Sequence, residues 1–396
     1  MTKKERGKGF FISEMKAGPI KSAEDILGKC VICDSCLGRQ FGQISTGMTN
    51  KQRGCIIRGM LKEGPLEGTC EICEGLFQGG IREWSGKAVK RLQGLEYRSF
   101  VVGSRLSRDL VRNEEKLWGM AGISHCEPMK TEVNRELGKL ICKKTGKDVD
   151  ELRPDVVLLL DLTRNEIRLQ VNSLFIYGEY QKLVRGIPQT KWETYKTSVE
   201  DEVARPVMKA TRGSGHSFHG SGREDVDALC LGWRPFVLEI TEPRKRRINL
   251  RKMLTEMNRS KKVNVRKLRY SDRKEVAALK SSRNDKKYRL LVQFEKPCGD
   301  EELKKLKNLI GMIKQRTPER VLHRRSDLLR KRRVKSLVWR RVSNKRLEIE
   351  IKGEAGLYVK ELMTDDNGRT EPSVSGVLGN KAKVVELDVI KIEKVE

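Results

Sequence analysis

Two Cys-x-x-Cys motifs near the N-terminus constrain this chain most. Cys33 and Cys36 form the first motif, and Cys70 and Cys73 form the second. Each motif places two sulfurs on a tight turn at a separation that suits zinc, and four thiolates complete a tetrahedral shell. Such a shell leaves no open position for water, so the sequence predicts a structural zinc ion, Zn2+, in a small, loop-rich module.

Two alternatives to this ligand set stay open. Cys30 precedes Cys33 with the same spacing, so these two cysteines could form the first pair, and the run Cys-x-x-Cys-x-x-Cys also fits an iron–sulfur cluster. The cysteines could also be unligated buried thiols. Disulfides are not expected, because the first twenty residues lack the apolar core of a secretory signal and the protein is expected in the cytoplasm.

The charge of the chain predicts a polyanionic partner. Lys and Arg number 83 against 54 Asp and Glu, which gives a net charge of +29. Nucleic acid explains such an excess through release of counterions from its phosphates. A membrane partner is not expected, because the longest strongly apolar stretch, Val156 to Leu160, is far shorter than the roughly 20 residues that span a bilayer.

One block of the chain carries much of this charge. Between Lys314 and Arg346 there are fourteen Lys or Arg residues against Glu319 and Asp327. Charge runs are usually solvated faces, but a block this one-sided repels itself unless phosphate lies against it. We therefore expect this block to contact RNA.

The pattern of apolar residues predicts an α+β protein of three parts. A zinc-binding module is expected over 1–84 and an α/β unit over 85–190, with a boundary at the polar segment around Pro188. Within the α/β unit, the stretch from 85 to 155 is predicted to be helical, and PDVVLLLDL and NEIRLQVNSLFIYG are each predicted to form one strand. Beyond it, strands are predicted in RPFVLEI, KKYRLLVQF, RLEIEIKG and KVVELDVIKIEKV. Residues 191–396 are therefore predicted to form an α+β domain on a mostly antiparallel sheet.

The segment HSFHGSGREDVD is the best candidate for an active-site loop. A glycine-rich turn precedes Arg223, Glu224 and Asp225, and a strand follows. The segment lacks the phosphate-loop pattern, and its glycines do not follow a dinucleotide-binding strand. Taken alone, an Arg-x-Asp triplet is more often a surface salt bridge than a catalytic pair.

Nearly the whole chain resembles the archaeal-type tRNA pseudouridine-54/55 synthases, which join a zinc-binding, THUMP-containing region to a pseudouridine synthase domain. The similar segments are CDSCLGRQFG, YGEYQKLVRGIPQTKW, FHGSGREDVD, RPFVLEI, QRTPERVLHRRSDLLRKR, GEAGLYVKEL and GRTEPSVSGVLG. One departure follows the candidate aspartate, where Ala228 and Leu229 replace the family's valine–arginine pair.

The resemblance implies an isomerase that converts uridine to pseudouridine at position 54, 55 or both of the tRNA T-arm loop. Asp225 would be the nucleophile, and Tyr288 would stack on the flipped base. Lys360 would pair with the carboxylate. The substrate-binding residues implied are Arg223, Tyr288, Tyr358, Lys360 and Leu378. Lys182 and Arg185 would help the THUMP-like unit to hold tRNA. In the basic block described above, the residues expected to bind RNA are Arg324, Arg325, Arg332 and Arg333.

The resemblance implies no organic cofactor and no catalytic metal, and we expect a monomer with tRNA as its partner. The main alternative is a non-catalytic tRNA-binding protein built on the zinc and THUMP-like regions. A THUMP-containing methyltransferase or thiolation enzyme is a second alternative, but it would need an adenosylmethionine loop or an ATP-pyrophosphatase motif, and the sequence contains neither.

Overall fold

The computed structural model describes residues 3–393, apart from the side chains of residues 3–6 and of Arg324. The chain divides into two compact units, Met1–Asn172 and Ser173–Glu396. Both combine helices and strands, which confirms the predicted mixed α+β class. Across residues 3–393, none of the helices combines the length and the apolar character needed to cross a bilayer.

The first unit joins a group of helices to a small sheet. Its helices are α1 (Lys3–Lys16), α2 (Pro19–Lys29), α3 (Asp34–Gln40), α4 (Asn50–Leu61), α5 (Gly80–Leu92), α6 (Arg108–Ala121) and α7 (Met129–Thr145). Its strands are β1 (Ser99–Arg105), β2 (Asp148–Val149), β3 (Val156–Asp161) and β4 (Glu166–Val171). The sheet has the order β2–β1–β3–β4, with β1 parallel to β2 and β3.

Helices α3 and α4 pack at unusually close range in the cysteine-rich part of this unit. Helix α4 begins with a capping box, in which Thr49 accepts from the Gln52 amide and the Gln52 side chain accepts from the Thr49 amide. A Cβ on Gly54 would lie 2.0 Å from the Asp34 carbonyl oxygen. Only glycine allows this approach of the two backbones.

The second unit is built on a larger sheet. Its helices are α8 (Val199–Thr211), α9 (Leu250–Asn258), α10 (Arg273–Ser281), α11 (Asp300–Lys304), α12 (Val359–Thr364) and α13 (Val374–Leu378). Its strands are β5 (Leu174–Lys182), β6 (Gly215–Gly220), β7 (Leu229–Thr241), β8 (Val263–Ser271), β9 (Asp285–Phe294), β10 (Gly311–Gln315), β11 (Arg330–Ser343), β12 (Arg346–Gly353), β13 (Thr370–Glu371) and β14 (Ala382–Glu393).

The sheet of the second unit has the order β13–β10–β11–β12–β9–β14–β7–β5–β8, and β6 pairs with β7. Within this sheet, among the described strands, only β14 and β7 pair in parallel. One apolar core lies along β9, β12 and β14 and includes Leu290, Ile349 and Leu362. A second core lies along β5, β7 and β8 and includes Ile176 and Leu238. Strand β14 lies between β9 and β7 and joins the part of the sheet that carries the first core to the part that carries the second.

The structure differs from the sequence expectations in three places. Strand β1 lies in the stretch from 85 to 155 that was expected to be helical. The segment NEIRLQVNSLFIYG, expected to be one strand, is divided at Asn172 into β4 and β5. Strand β5 pairs with β7 and β8, so it belongs to the sheet of the second unit, although the sequence places the boundary near 190.

The close packing of α3 on α4 can be tested with two glycines of one helix. We expect Gly54→Ala to destabilise the first unit by about 3 kcal/mol, because the new methyl group overlaps the Asp34 carbonyl. Gly59, also in α4, has open space at its Cβ, so Gly59→Ala should stabilise the helix by up to about 1 kcal/mol. Thermal unfolding of the full chain and hydrogen exchange of the α3 and α4 amides measure both changes. Equal protection in the two variants would contradict this packing.

Candidate active site and metal centre

The Gly-Arg-Glu-Asp segment forms the loop between β6 and β7. These strands pair antiparallel, and the loop follows the last pair, Gly220 with Phe236. Gly222 has φ of +71°, a backbone conformation that favours glycine. The loop therefore reverses direction sharply and projects Asp225 away from the sheet.

A buried ion pair fixes this loop from beneath. Arg234 Nε lies 3.0 Å from Glu224 Oε2, and both side chains are fully buried. The Tyr180 hydroxyl donates to the Glu224 carboxylate, at 3.0 Å from Oε2. Gln189 Nε2 donates to the Tyr180 hydroxyl, and Arg234 Nη1 donates to the Ser221 carbonyl. Glu224 thus points into the protein, while its neighbour Asp225 is directed outward.

Lys182 holds the other end of the loop. It is fully buried on β5, and its ammonium donates to the carbonyls of Ile187, Asp225 and Val226 at 2.9–3.1 Å. Burial lowers the pKa of Lys182. The expectation that Lys182 contacts RNA is wrong, because its charged group is enclosed by backbone carbonyls instead of facing solvent.

The Asp225 carboxylate lies between two cations. Lys360 Nζ, on α12, is 3.2 Å from Oδ2, and Arg320 Nη1 is 3.6 Å from Oδ1. The same Lys360 ammonium donates to both carboxylate oxygens of Asp227. Burial would lower the pKa of Lys360, but the hydrogen bond to Asp227 and the charge of Asp225 outweigh it and raise the pKa. The Asp225 side chain is one-third exposed, so its carboxylate is oriented by charge yet remains accessible.

Asp225 opens into a cleft of about 760 Å³. The sequence-predicted residues that line it are Arg223, Asp225, Tyr288, Arg325, Arg332, Tyr358 and Lys360. Tyr288 forms a buried wall on β9, and burial raises the pKa of its phenol to about 12. Tyr358 precedes α12 and accepts a hydrogen bond from Arg325, while Gln315 bonds to both its backbone amide and its carbonyl.

The remaining predicted residues lie elsewhere. Leu378 is at the end of α13, half-buried against the core along β9, and is not among the described residues lining the cleft. Arg185 is bound to Asp388 at 2.7 Å and to the Leu387 carbonyl. Arg333 is exposed on β11, outside the cleft lining. The side chain of Arg324 lies outside the described residues.

Sequence reasoning missed several residues that the fold brings to the cleft. Arg320 was counted only as part of the basic block, yet its guanidinium joins Asp225 to Glu361, at 2.7 Å from Nε to Oε1. Arg234 and Lys286 reach the cleft from β7 and β9. Their local sequence carries no signal for this role, because it depends on strand pairings across more than fifty residues.

A buried cysteine group lies in the first unit. The Sγ atoms of Cys33, Cys36, Cys70 and Cys73 all lie within 4.8 Å of one another, and all four residues are buried. Cys33 and Cys73, from different motifs, have their sulfurs 3.8 Å apart. The Cys30 thiol is directed to the Met120 sulfur and is outside this group. The four sulfurs can hold one metal ion.

The two cysteine motifs are held together by backbone and charge. The Glu71 amide donates to the Val31 carbonyl at 2.9 Å, which joins the two turns. The buried Arg39 guanidinium donates to the Cys36 sulfur at 3.5 Å and pairs with Glu132 at 3.1 Å. A cation beside the sulfurs suits a group of thiolates, since four of them exceed the charge of a divalent ion.

Known proteins resemble this chain over most of its length. The family model described as "Pus10, C-terminal" matches residues 175–393, and that described as "Pus10 THUMP domain, archaeal" matches residues 84–161. The "tRNA pseudouridine synthase Pus10" of Methanothrix thermoacetophila is 39% identical, covering 94% of this chain and 94% of its own length. That of Methanothermobacter marburgensis is 43% identical, covering 91% and 95%.

Solved structures give a weaker likeness. The structure described as "Crystal Structure of a Cbf5-Nop10-Gar1 Complex" is 16% identical and covers 55% of this chain and 50% of that one. Its TM-score of 0.34 is too low to show a shared fold.

The buried position of Lys182 leads to a stability test. Lys182→Met leaves three carbonyls without their donor, so we expect a loss of about 3 kcal/mol and faster hydrogen exchange in residues 221–228. Lys252→Met, on the exposed face of α9, is the matched control and should change neither. If the two variants unfold at the same temperature, the ammonium does not hold the loop.

Proposed function

This chain belongs to the Pus10 family of tRNA pseudouridine synthases, and from that premise we propose that Asp225 is its nucleophile and that the cleft receives a uridine of the T-arm loop, at position 54, 55 or both. The enzyme isomerises uridine to pseudouridine in tRNA. The observation that carries the proposal is the accessible Asp225 carboxylate between Lys360 and Arg320.

The reaction needs a carboxylate that forms and releases one bond. Asp225 attacks the ribose C1′, and the C1′–N1 bond breaks with its electron pair on the base. The base turns within the cleft, and C5 then forms the new bond to C1′ as the carboxylate leaves. C5 loses a proton and N1 gains one, so atoms and electrons balance without a redox partner. Lys360 and Arg320 hold the carboxylate in position throughout.

The cleft has the size and walls that this reaction requires. A target uridine must leave its stack, at a cost of a few kcal/mol, and needs an apolar surface to receive it. The buried ring of Tyr288 supplies that surface, with Val389 and Leu357 also lining the cleft. A volume of about 760 Å³ exceeds what one base needs, which leaves room for the base to turn.

The cationic rim of the cleft suits the backbone of the RNA. Arg325 lines the cleft from the segment before β11, and Arg330 and Arg332 line it from the start of that strand. Lys331 and Arg333 alternate with them and are exposed on the other face of this strand. Cations on both faces of one strand can contact successive phosphates, so we assign tRNA binding to this segment in place of Lys182.

Zinc is the metal that best fits the cysteine group. A tetrahedral ion with zinc–sulfur bonds of about 2.3 Å spaces its sulfurs roughly 3.8 Å apart, and the Cys33 and Cys73 sulfurs have this separation. Cys33, Cys36, Cys70 and Cys73 would hold the ion, which would cross-link the two turns and stabilise the first unit. Residence in the cytoplasm and a monomeric state stay predictions.

The nucleophile can be tested by mapping pseudouridine in an unmodified tRNA transcript by carbodiimide primer extension. We expect the wild type to modify the T-arm loop and Asp225→Ala to bind tRNA normally but to lose activity by at least about a thousandfold. Asp300→Asn, an exposed carboxylate on α11, is the control and should retain full activity. Activity in Asp225→Ala would remove Asp225 as nucleophile. Binding without modification by the wild type would favour the non-catalytic tRNA-binding alternative.

The metal centre predicts one zinc ion per chain, measured by inductively coupled plasma mass spectrometry. Cys70→Ser should lose the ion and lower the unfolding temperature of the first unit, because the two turns are then no longer cross-linked. Cys55→Ser is the control, since Cys55 is exposed in the same unit and outside the group. Full zinc content in Cys70→Ser, or iron in place of zinc, would contradict this assignment.

A further inference from the structure

Two cations lie together at the floor of the cleft, apart from those that face Asp225. Arg234 Nη1 and Lys286 Nζ lie 3.4 Å and 3.7 Å from a single point, the position that a Cβ on Gly222 would take. Arg234 is fully buried on β7, and Lys286 is partly buried on β9. Gly222 therefore leaves open the space above both charged groups.

Lys286 is placed to reach a base that stacks on Tyr288. The two residues are separated by one position on β9, so their side chains leave the strand on the same face. Both line the cleft. A pyrimidine ring lying against the tyrosine would turn one edge, with its carbonyl oxygens, toward the Lys286 ammonium.

The charges of the two floor cations are balanced differently. Arg234 is neutralised by Glu224 at 3.0 Å, and its Nη2 has no hydrogen-bond partner among the described residues. Within the described part of the chain, no carboxylate pairs with Lys286, whose one hydrogen bond is a long contact of 3.5 Å to the Asn284 carbonyl. The neighbouring Asp285 is bound to Lys335 instead.

An ammonium in this position is costly unless an anion or a carbonyl oxygen meets it. Burial, reinforced by the charge of Arg234, lowers the pKa of Lys286 to about 8. The buried Lys182 of the same unit, by contrast, donates to three backbone carbonyls. Lys286 lacks such a set, which points to a ligand that arrives with the substrate.

We propose that Lys286, with Arg234 behind it, binds a carbonyl oxygen of the flipped uracil and stabilises the negative charge that the base acquires when its glycosidic bond breaks. The inference rests on the proposed roles of Asp225 and Tyr288. As the C1′–N1 bond breaks, its electron pair passes to the ring and spreads over N1 and the carbonyl oxygens. The ammonium lowers the energy of this negatively charged base. When C5 bonds to C1′, the base becomes neutral again, and the ammonium then makes an ordinary hydrogen bond to its carbonyl oxygen.

A phosphate of the RNA is the competing ligand for this lysine. Phosphates remain on the backbone, and the rim already offers Arg325, Arg330 and Arg332 to them. Lys286 lies deeper, beside the fully buried Arg234 and the buried Tyr288. A base reaches this depth when it is flipped, so the carbonyl oxygen is the ligand that the geometry favours.

The test compares Lys286→Met with wild type in single turnover, with enzyme saturating over the tRNA transcript. We expect the rate to fall about 100-fold at pH 7, while tRNA affinity stays within about twofold, because the contact forms fully only as charge develops. Lys286→Arg should recover part of the rate. Lys287→Met is the matched control, since Lys287 is the next residue of β9, points to the opposite face and pairs with Glu350; it should react at the wild-type rate.

A second measurement separates charge stabilisation from a structural role. In a transcript with 5-fluorouridine at the target position, the fluorine makes the base a better leaving group, so the wild-type advantage over Lys286→Met in glycosidic bond cleavage should shrink at least about tenfold. An unchanged ratio would overturn the proposal, as would weaker tRNA binding with an unchanged rate. If Lys286→Met does not fold, Lys286→Gln replaces it in both measurements.

Asp225→Ala, assayed in parallel, distinguishes a failure of the proposed nucleophile from a failure of the proposed role of Lys286. If it still forms pseudouridine, the proposed nucleophile fails whatever Lys286 does. If it is inactive while Lys286→Met reacts at the wild-type rate with 5-fluorouridine and with uridine, only the role of Lys286 is overturned.

Discussion

The buried ion pair of Glu224 and Arg234 is the interaction on which the active site depends. Two fully buried charges lose their hydration, and their attraction offsets that loss only when further hydrogen bonds complete their shells. Tyr180 donates to Glu224 and the Ser221 carbonyl accepts from Arg234, while Nη2 of Arg234 is left without a partner among the described residues. Because Glu224 is committed inward, the adjacent Asp225 must leave the loop in the opposite direction, toward the cleft. The proposed nucleophile is therefore positioned by its neighbour as much as by the cations that face it.

Much of the site could be predicted from short motifs, because the residues that carry the chemistry stand in recognisable local patterns. The two Cys-x-x-Cys motifs predicted the four sulfurs that the fold brings together. The family resemblance placed Asp225, Tyr288 and Lys360, and the structure brings all three to one cleft. Their catalytic roles stay proposals, since geometry shows proximity and not reaction. The mixed α+β class was also predictable, from strands with clear apolar alternation such as β9 and β12.

What sequence reasoning missed depends on contacts between distant segments. Strand β11 was interpreted as a basic block because Lys and Arg occupy half of its positions, and only Val334 and Leu337 are buried in it. Strand β5 follows β4 after two residues, and nothing local shows that its partners are β7 and β8. Lys182 looked like a surface cation for the same reason, since the three carbonyls that enclose it are contributed by other segments. The burial of a charged side chain can be predicted only when the groups that bind it are known.

The cations around the cleft follow one rule that explains their different tasks. Lys360 and Arg320 each contact Asp225 and a second carboxylate, which is Asp227 for Lys360 and Glu361 for Arg320. Their charges are therefore largely neutralised within the protein, and their proposed task is to hold the nucleophile. The rim arginines are proposed to contact phosphates, whose charge is permanent. Lys286 has no carboxylate partner among the described residues, and its charge is therefore available to a group that becomes negative only during reaction. In the proposed mechanism, separating the cations in this way keeps the nucleophile, the RNA backbone and the departing base from competing for one charge.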